Sequence, residues 1–274
     1  MNQLNLDKFD FEFDLNGYCL IPNVLPLEKV EKMNELIVKA DLEKNVPKFL
    51  FIELDDIFYD LIFNPIALQL ASRWIDLHFR FDHCFGTHYP PDNGTRNQVN
   101  LHGGPYQNQC YFQYNWYNNR PKCSSILFSY ALQDQPEGNG GIIFLPGSHK
   151  LNYPIPGKVS ELLEKFYSSR FPEYNLPTLH RPVFKKGDLL VFSEATIHGT
   201  SQWTSKVNWR RHINYKYCYG PMGWLPTETE LNMRLRNKAI TPLQKAVLDQ
   251  PYASRLSGNQ TEFRKPTLSY VPNS

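Results

Sequence analysis

Apolar residues early in the chain recur at helical spacing. Leu25, Val30, Met33, Leu36 and Ile37 fall on one side of a 3.6-residue repeat, and Pro26 stands where a first turn tolerates proline. The spacing predicts a helix over about 26–43, preceded by a short strand at Tyr18 to Ile21. A second apolar stretch, Asp56 to Leu77, is broken at Asn64-Pro65 and reads as two helical pieces. From His78 to Tyr219 the pattern changes. Alternating or continuous apolar runs such as LHFRFDHCFGTHY, SSILFSYAL, GGIIFLP, DLLVFSEATIH and RRHINYKYCY are punctuated by Gly, Pro and Asn, which marks many short strands in series. The prediction is a mainly β protein with flanking helices, its β core over about 78–220 forming a sandwich or jelly roll. SELLEKFYSSRF (160–171) has helical period and reads as an insertion between strands. A polar helical extension follows over about 221–256, and the last stretch, rich in Ser, Asn, Gln and Pro, reads as an exposed tail.

No repeat or long linker divides the 274 residues, so one domain over 1–274 is expected. The 29 Lys and Arg against 27 Asp and Glu leave a net charge of +2, which argues against nucleic acid as the main partner. At 41% hydrophobic and 14% aromatic the chain has ample apolar mass for a core. The first residues, MNQLNLDKFDFEFDLNG, are acidic and lack an apolar signal region, and no run approaches the ~18–20 apolar residues of a membrane span. Five scattered cysteines without a CxxC pair read as reduced, buried thiols, so the expectation is a cytoplasmic protein away from membranes.

Three clusters carry chemistry: LHGGP around His102, EGNGGIIFLPGSHK from Glu137 to Lys150, and KGDLLVFSEATIHGT followed by NWRR. Imidazole is a borderline ligand that suits several transition metals, and two imidazoles distant in sequence meet only if the fold brings their strands together. His102 and His198, each near the end of a β run, meet that requirement. Among the other histidines, His149 and His180 fall in turns or loops. His78, His83 and His88 share one segment as candidate cavity residues, although a spacing of five does not fit one strand face. GNGG at 138–141 is followed by a β run and no GK[ST] helix, so it reads as a hairpin turn and not a phosphate loop.

PGSHK and GDLLVF…HG…RR, in this order, resemble the phytanoyl-CoA dioxygenase family of iron(II)- and 2-oxoglutarate-dependent oxygenases over about residues 15–220. The resemblance implies a double-stranded β-helix (jelly roll, cupin-like) with His102 and His198 as iron ligands. It also implies an arginine about a dozen residues after the second histidine, to hold the distal carboxylate of 2-oxoglutarate. Arg210 and Arg211 both fall there; strand alternation admits one, and the family pattern matches Arg210 first, with His212 and Asn214 on its face. Thr200 matches a family hydroxyl beside the co-substrate, and equally suits a turn. Tyr111, Trp116 and Trp203 are the candidate substrate-facing aromatics, for which core packing is an equal reading.

The chain departs from the family at His102-Gly103-Gly104, where the usual pattern is His-x-Asp. Three explanations follow: Glu194 (with Asp92 as second choice) substitutes; water or halide fills the vacant place at Gly104, as in related iron halogenases; or iron is not bound productively. Iron(II) with two neutral imidazoles and dianionic 2-oxoglutarate is neutral, so chloride would restore the charge of the usual carboxylate site. The expected function is therefore an oxygenase that uses iron(II), 2-oxoglutarate and dioxygen to hydroxylate, desaturate or cleave a small-molecule metabolite in natural-product or specialised metabolism. A halogenase using chloride is the alternative, and a non-catalytic jelly-roll ligand-binding protein is a third reading. No residue selects the substrate.

Overall fold

The computed structural model describes residues 5–43, 51–94, 99–104, 111–157, 179–223 and 230–251. The first described element is a helix, α1 (Leu6–Asn16), started by the Asn5 side chain, which accepts from Lys8 N, and stopped by Gly17 at φ 79°. The sequence reading placed no element there, for a physical reason. Phe11 and Leu15 of α1 are exposed, while its buried face combines Phe9 and Phe13 with a carboxylate, Asp10, so no clean apolar stripe is visible. Asp10 is accommodated because Arg73 Nε (2.8 Å) and Trp74 Nε1 (2.7 Å) both donate to it.

After β1 (Tyr18–Ile21) comes α2 (Leu27–Glu43), matching the predicted helix to within a residue. The second apolar stretch divides at Asn64 into α3 (Asp56–Tyr59) with a 3-10 turn, and α4 (Pro65–Trp74). Asn64 caps α4 by accepting from the backbone of Ile66 and Ala67. The strands follow as β2 (Phe79–Tyr89), β3 (Val99–His102), β4 (Tyr114–Tyr117), β5 (Arg120–Cys123), β6 (Ser125–Ala131), β7 (Gly141–Phe144), β8 (Leu189–Ser193), β9 (His198–Ser201) and β10 (Arg210–Tyr219). Two helices, α5 (Glu230–Lys238) and α6 (Pro242–Val247), complete the described chain. The predicted insertion at 160–171, the terminal tail and Cys110 lie outside the described residues. No helix among the described residues is long and apolar enough to cross a membrane.

The strands form an antiparallel sheet in the order β1-β8-β6-β10-β2, a smaller one in the order β3-β9-β7, and the β4-β5 hairpin. The large sheet is buried on both faces, which explains why β6, β8 and β10 read as nearly continuous buried runs. Ile126, Phe128, Tyr130, Ile213, Tyr215 and Tyr217 pack in the helix-side core. The tyrosine hydroxyls tie the layers together: Tyr215 donates to Phe58 O (2.8 Å) and Tyr217 to Ile62 O (2.6 Å). Leu127, Ala131, Leu190 and Phe192 face the small sheet and pack with Ile142 and Phe144. The two sheets of the jelly roll thus enclose a second interior. Cys19, Cys84, Cys123 and Cys218 are buried free thiols, and burial pushes all four thiols up from their ordinary value.

GNGG opens the hairpin into β7. Gly140, at φ 77°, lies so close to Gln202 O that an added Cβ would stand 1.8 Å from it. The PGSHK turn does more than connect strands. His149 is buried and its Nε2 donates to Asp14 O at 2.9 Å, pinning the end of α1, while its Nδ1 is buried with no partner among the described residues. Burial lowers the His149 pKa to about 4, with Lys150 adding to the shift and Asp14 opposing it. The unfolded imidazole takes up a proton below about pH 6.5 and the folded one only near pH 4, so the unfolded state binds more protons in that interval. Folding stability is expected to fall as the pH drops from about 6.5 to about 4. His149→Gln keeps a donor for Asp14 O and should remove about 1.4 kcal/mol per pH unit of that slope, one proton's worth. Denaturant unfolding at pH 7, 5.5 and 4.5 reads the difference; parallel curves for wild type and variant would refute the assignment.

Candidate active site

β10 runs between the two cores and alternates strictly. Arg210, His212, Asn214 and Lys216 line a cavity of about 380 Å³ between the sheets, while Ile213, Tyr215 and Tyr217 face the helices. From β3 and β9 on the opposite sheet come His102, His198 and Thr200. His102 and His198 are direct cross-strand partners with ring centroids 4.2 Å apart, so antiparallel pairing joins residues separated by 96 positions. His198 Nδ1 bonds to Thr196 O at 2.7 Å; because a carbonyl only accepts, this nitrogen carries the hydrogen and Nε2 keeps its lone pair. Burial depresses the His198 pKa to about 3, with the charge of His102 adding to the effect against opposition from Glu194. The ring is neutral at physiological pH, the form that binds metal.

The Ser193–Ile197 corner joins β8 to β9 and is tied down along its length. Ser193 N donates to Gly17 O (3.0 Å), Thr196 Oγ1 to the same carbonyl (2.9 Å), and Ile197 N to Ser148 Oγ (2.8 Å). From this corner Glu194 reaches the cavity beside the two imidazoles. Burial opposes its ionisation, but Lys216, His198 and His102 together hold its carboxyl below the ordinary value. Lys216 Nζ lies 3.2 Å from Glu194 Oε2 and 4.6 Å from the centroid of the Phe112 ring. Four imidazoles (His83, His102, His198 and His212), a carboxylate, an ammonium and a guanidinium therefore share one cavity. Among the described residues no three His, Cys, Asp or Glu side chains are already drawn together into a metal cage.

Gly104 corrects one sequence expectation. Positions two apart share a face only within a strand, and β3 ends at His102; Gly103 and Gly104 turn away at φ 104° and 40°. A Cβ on Gly104 would lie 2.3 Å from Ala195 O, and Gly104 N donates to Glu194 O (3.1 Å). Any side chain at Gly104 would therefore meet the backbone of the β8–β9 corner.

The other candidates divide. Arg211 points to the helix side, where its Nη1 donates to Asn34 Oδ1 (2.7 Å) and its Nε to His88 Nδ1 (2.7 Å). It is thus a tie between α2 and the sheet and does not line the cavity. Trp203 is fully buried, donating from Nε1 to Asn208 O (2.8 Å), while Tyr111 and Trp116 are exposed; none of the three lines the cavity. Asp92 pairs with Lys206 (2.8 Å) and is also absent from the lining. His180 bonds to the Tyr18 hydroxyl. Residues the sequence reading did not single out are Phe85, Phe112 and Lys216. Lys216 was identifiable in principle, since it continues the alternation of Arg210, His212 and Asn214, but its pairing with Glu194 is visible only once β8, β6 and β10 assemble into one sheet.

The chain is similar in structure to HygX from Streptomyces hygroscopicus, solved with nickel and 2-oxoglutarate bound, with a TM-score of 0.66, 20% identity and coverage of 79% of this chain and 88% of that one. The epimerase SnoN from nogalamycin biosynthesis, solved with Fe3+, alpha ketoglutarate and nogalamycin RO, matches with a TM-score of 0.56, 17% identity and coverage of 82% and 88%. AviO1 from Streptomyces viridochromogenes Tue57 matches at 0.54, with 13% identity and coverage of 82% and 100%. At these identities the likeness establishes the shared fold. No curated protein matches the chain significantly in sequence. The phytanoyl-CoA dioxygenase (PhyH) family profile matches residues 36–212, from the middle of α2 into β10 and across both histidine strands, and the chain belongs to that family.

Proposed function

We propose that this protein is an iron(II)- and 2-oxoglutarate-dependent oxygenase that oxidises a small metabolite. The observation that carries the reading is the His102–His198 cross-strand pair, set in the wall of a cavity that Arg210 lines from the other sheet. The residues fit the cofactor. His198 is held neutral with Nε2 as its remaining donor, and an ionised carboxylate, Glu194, stands beside both rings. Glu194 supplies the third donor, entering from the corner that covers Gly104 in place of the family's His-x-Asp side chain. Arg210 holds the distal carboxylate of 2-oxoglutarate through its planar fork, with the Thr200 hydroxyl on the facing wall. Lys216 keeps Glu194 ionised, and Phe85, Phe112 and Phe192 limit water at the site.

When bound, iron and 2-oxoglutarate supply the oxidising power: dioxygen is consumed, succinate and carbon dioxide are released, and a substrate C–H bond is oxidised. HygX has been solved with hygromycin B and SnoN with nogalamycin RO, which supports a substrate from natural-product metabolism. A halogenase would need an open halide place at Gly104, and the covering Ala195 carbonyl speaks against it. Chloride accordingly has no part in the proposed site.

Three variants separate the ligands. His102→Ala and His198→Ala should abolish iron(II) binding and succinate formation. Glu194→Ala should weaken iron(II) by at least about tenfold, since even outer partners of metal ligands contribute about 10–100-fold. Anaerobic titration with iron(II) and 2-oxoglutarate, following the charge-transfer band of the chelate, measures all three, and a His198→Ala protein with the wild-type band would sink the metal assignment.

Arg210→Ala should raise the Michaelis constant for 2-oxoglutarate by about thirtyfold or more, because truncating one member of a buried charge pair costs about 2–5 kcal/mol. Arg211→Ala should leave that constant near wild type and instead lower the melting temperature, since it cuts the tie to Asn34. Succinate release and thermal unfolding of both variants check the contrast, and the reverse ranking would displace Arg210 from its role.

A further inference from the structure

The alternation of β2 is interrupted at one residue. Lys216 of β10 pairs with His83 and Tyr217 with Phe81, which makes Asp82 the extra residue of a β-bulge. The strand changes face across it: Phe79 and Phe81 belong to the helix-side core, whereas His83, Phe85, Thr87 and Tyr89 line the cavity. Two consecutive side chains are thereby brought together. Asp82 Oδ2 lies 2.6 Å from His83 Nδ1, and Asp82 Oδ1 accepts from Arg80 Nη1 at 2.7 Å, with the carboxylate fully buried. Arg80 is braced in turn, donating to Asp249 O (3.0 Å) and Met222 O (3.1 Å).

Burial opposes ionisation of Asp82, yet His83 and Arg80 hold its carboxyl well below the usual carboxylate range. An ionised carboxylate only accepts, so His83 Nδ1 carries the hydrogen of this bond, and in the uncharged tautomer that it fixes Nε2 is left as an acceptor. The charged groups around the ring are balanced. Asp82 is matched by Arg80 on its own strand, and Lys216, the cross-strand partner of His83, is matched by Glu194. An acceptor in such surroundings suits a neutral donor better than an anion or a cation. An imidazole fixed by a buried carboxylate at a cavity wall has the supporting hydrogen bond that a positioned recognition group requires.

We propose that His83 is a substrate-positioning residue whose Nε2 accepts a hydrogen bond from a substrate hydroxyl, which makes the substrate a hydroxyl-bearing small molecule. This rests on the cavity being the substrate site of the oxygenase proposed above. Thr87, Ser129 and Asn214 on the same sheet supply further polar groups for such a molecule.

The test uses the whole chain, both metal-free and loaded with iron(II) and 2-oxoglutarate. The probes are sugars, cyclitols and aminocyclitols, each with a counterpart in which one hydroxyl is replaced by hydrogen. Proton–nitrogen correlation spectra of the metal-free protein should show His83 as the Nδ1–H tautomer, and Asp82→Asn should lose that fixed form. A hydroxylated probe that binds should move the His83 Nε2 resonance, and its deoxy counterpart should not. His83→Phe should weaken that probe by about ten- to a hundredfold, the range for one buried hydrogen bond, while His83→Gln, which retains an acceptor oxygen, should recover most of the affinity. An Nε2–H tautomer, equal binding to wild type and a folded His83→Phe protein, equal binding of the deoxy probes, or no hydroxylated probe bound by wild type in either state would each overturn the proposal. Absence of the iron chelate band in wild type would count against the iron reading alone, because tautomer and probe binding are also read without metal.

Discussion

The site depends on how the corner between β8 and β9 is held. Five residues from Ser193 to Ile197 turn the chain from the large sheet to the small one, and their polar groups are engaged by Gly17, Ser125, Ser148 and Gly104. The backbone carbonyl of Thr196 fixes the ring of His198, and the next strand carries that histidine directly opposite His102. The same corner delivers Glu194 to the cavity and closes the space over Gly104. Its anchors come from α1, from the PGSHK turn and from β6, so an N-terminal helix remote in sequence participates in positioning the chemistry.

That dependence explains the glycine two residues after His102. At φ 40°, with the Ala195 carbonyl where a Cβ would stand, Gly104 is required by the close approach of two backbones. The bare backbone at Gly104 and the buried carboxylate nearby are two consequences of the same packing: the corner that leaves no room for a side chain at Gly104 carries Glu194. A buried carboxylate in turn needs compensation, which Lys216 provides from the large sheet.

Polar groups inside the jelly roll occur as supported sets and not singly. Glu194 is matched by Lys216, Asp82 by Arg80 and His83, and Arg211 by Asn34 and His88. Two of these sets join elements distant in the chain, the third lies within β2, and in each the buried charge has the partner it needs. The bulge at Asp82 belongs to the same economy, since it turns β2 from the helix-side core to the cavity within one residue.

Much of this was legible in sequence where the chemistry is local. Periodicity located α2, the break at Asn64-Pro65 and the β core, and the motif order around His102 and His198 identified the family. Strand alternation set Arg210 and Arg211 on opposite faces, because neighbouring side chains on a regular strand point apart, and the family pattern selected Arg210 for the inner one. Alternation misled where the strand had ended, since Gly103 and Gly104 lie beyond β3, and it gave no sign of the bulge at Asp82. Helix α1 escaped because its buried face includes Asp10, whose partners Arg73 and Trp74 lie more than 60 positions away. The aromatic residues Tyr111, Trp116 and Trp203 show the same limit, since composition records a large apolar side chain but not which interior, or which surface, receives it. Sequence determined the elements and the residue types able to do the chemistry; tertiary packing decided which of them share the cavity, because cross-strand register and close backbone approach are non-local properties.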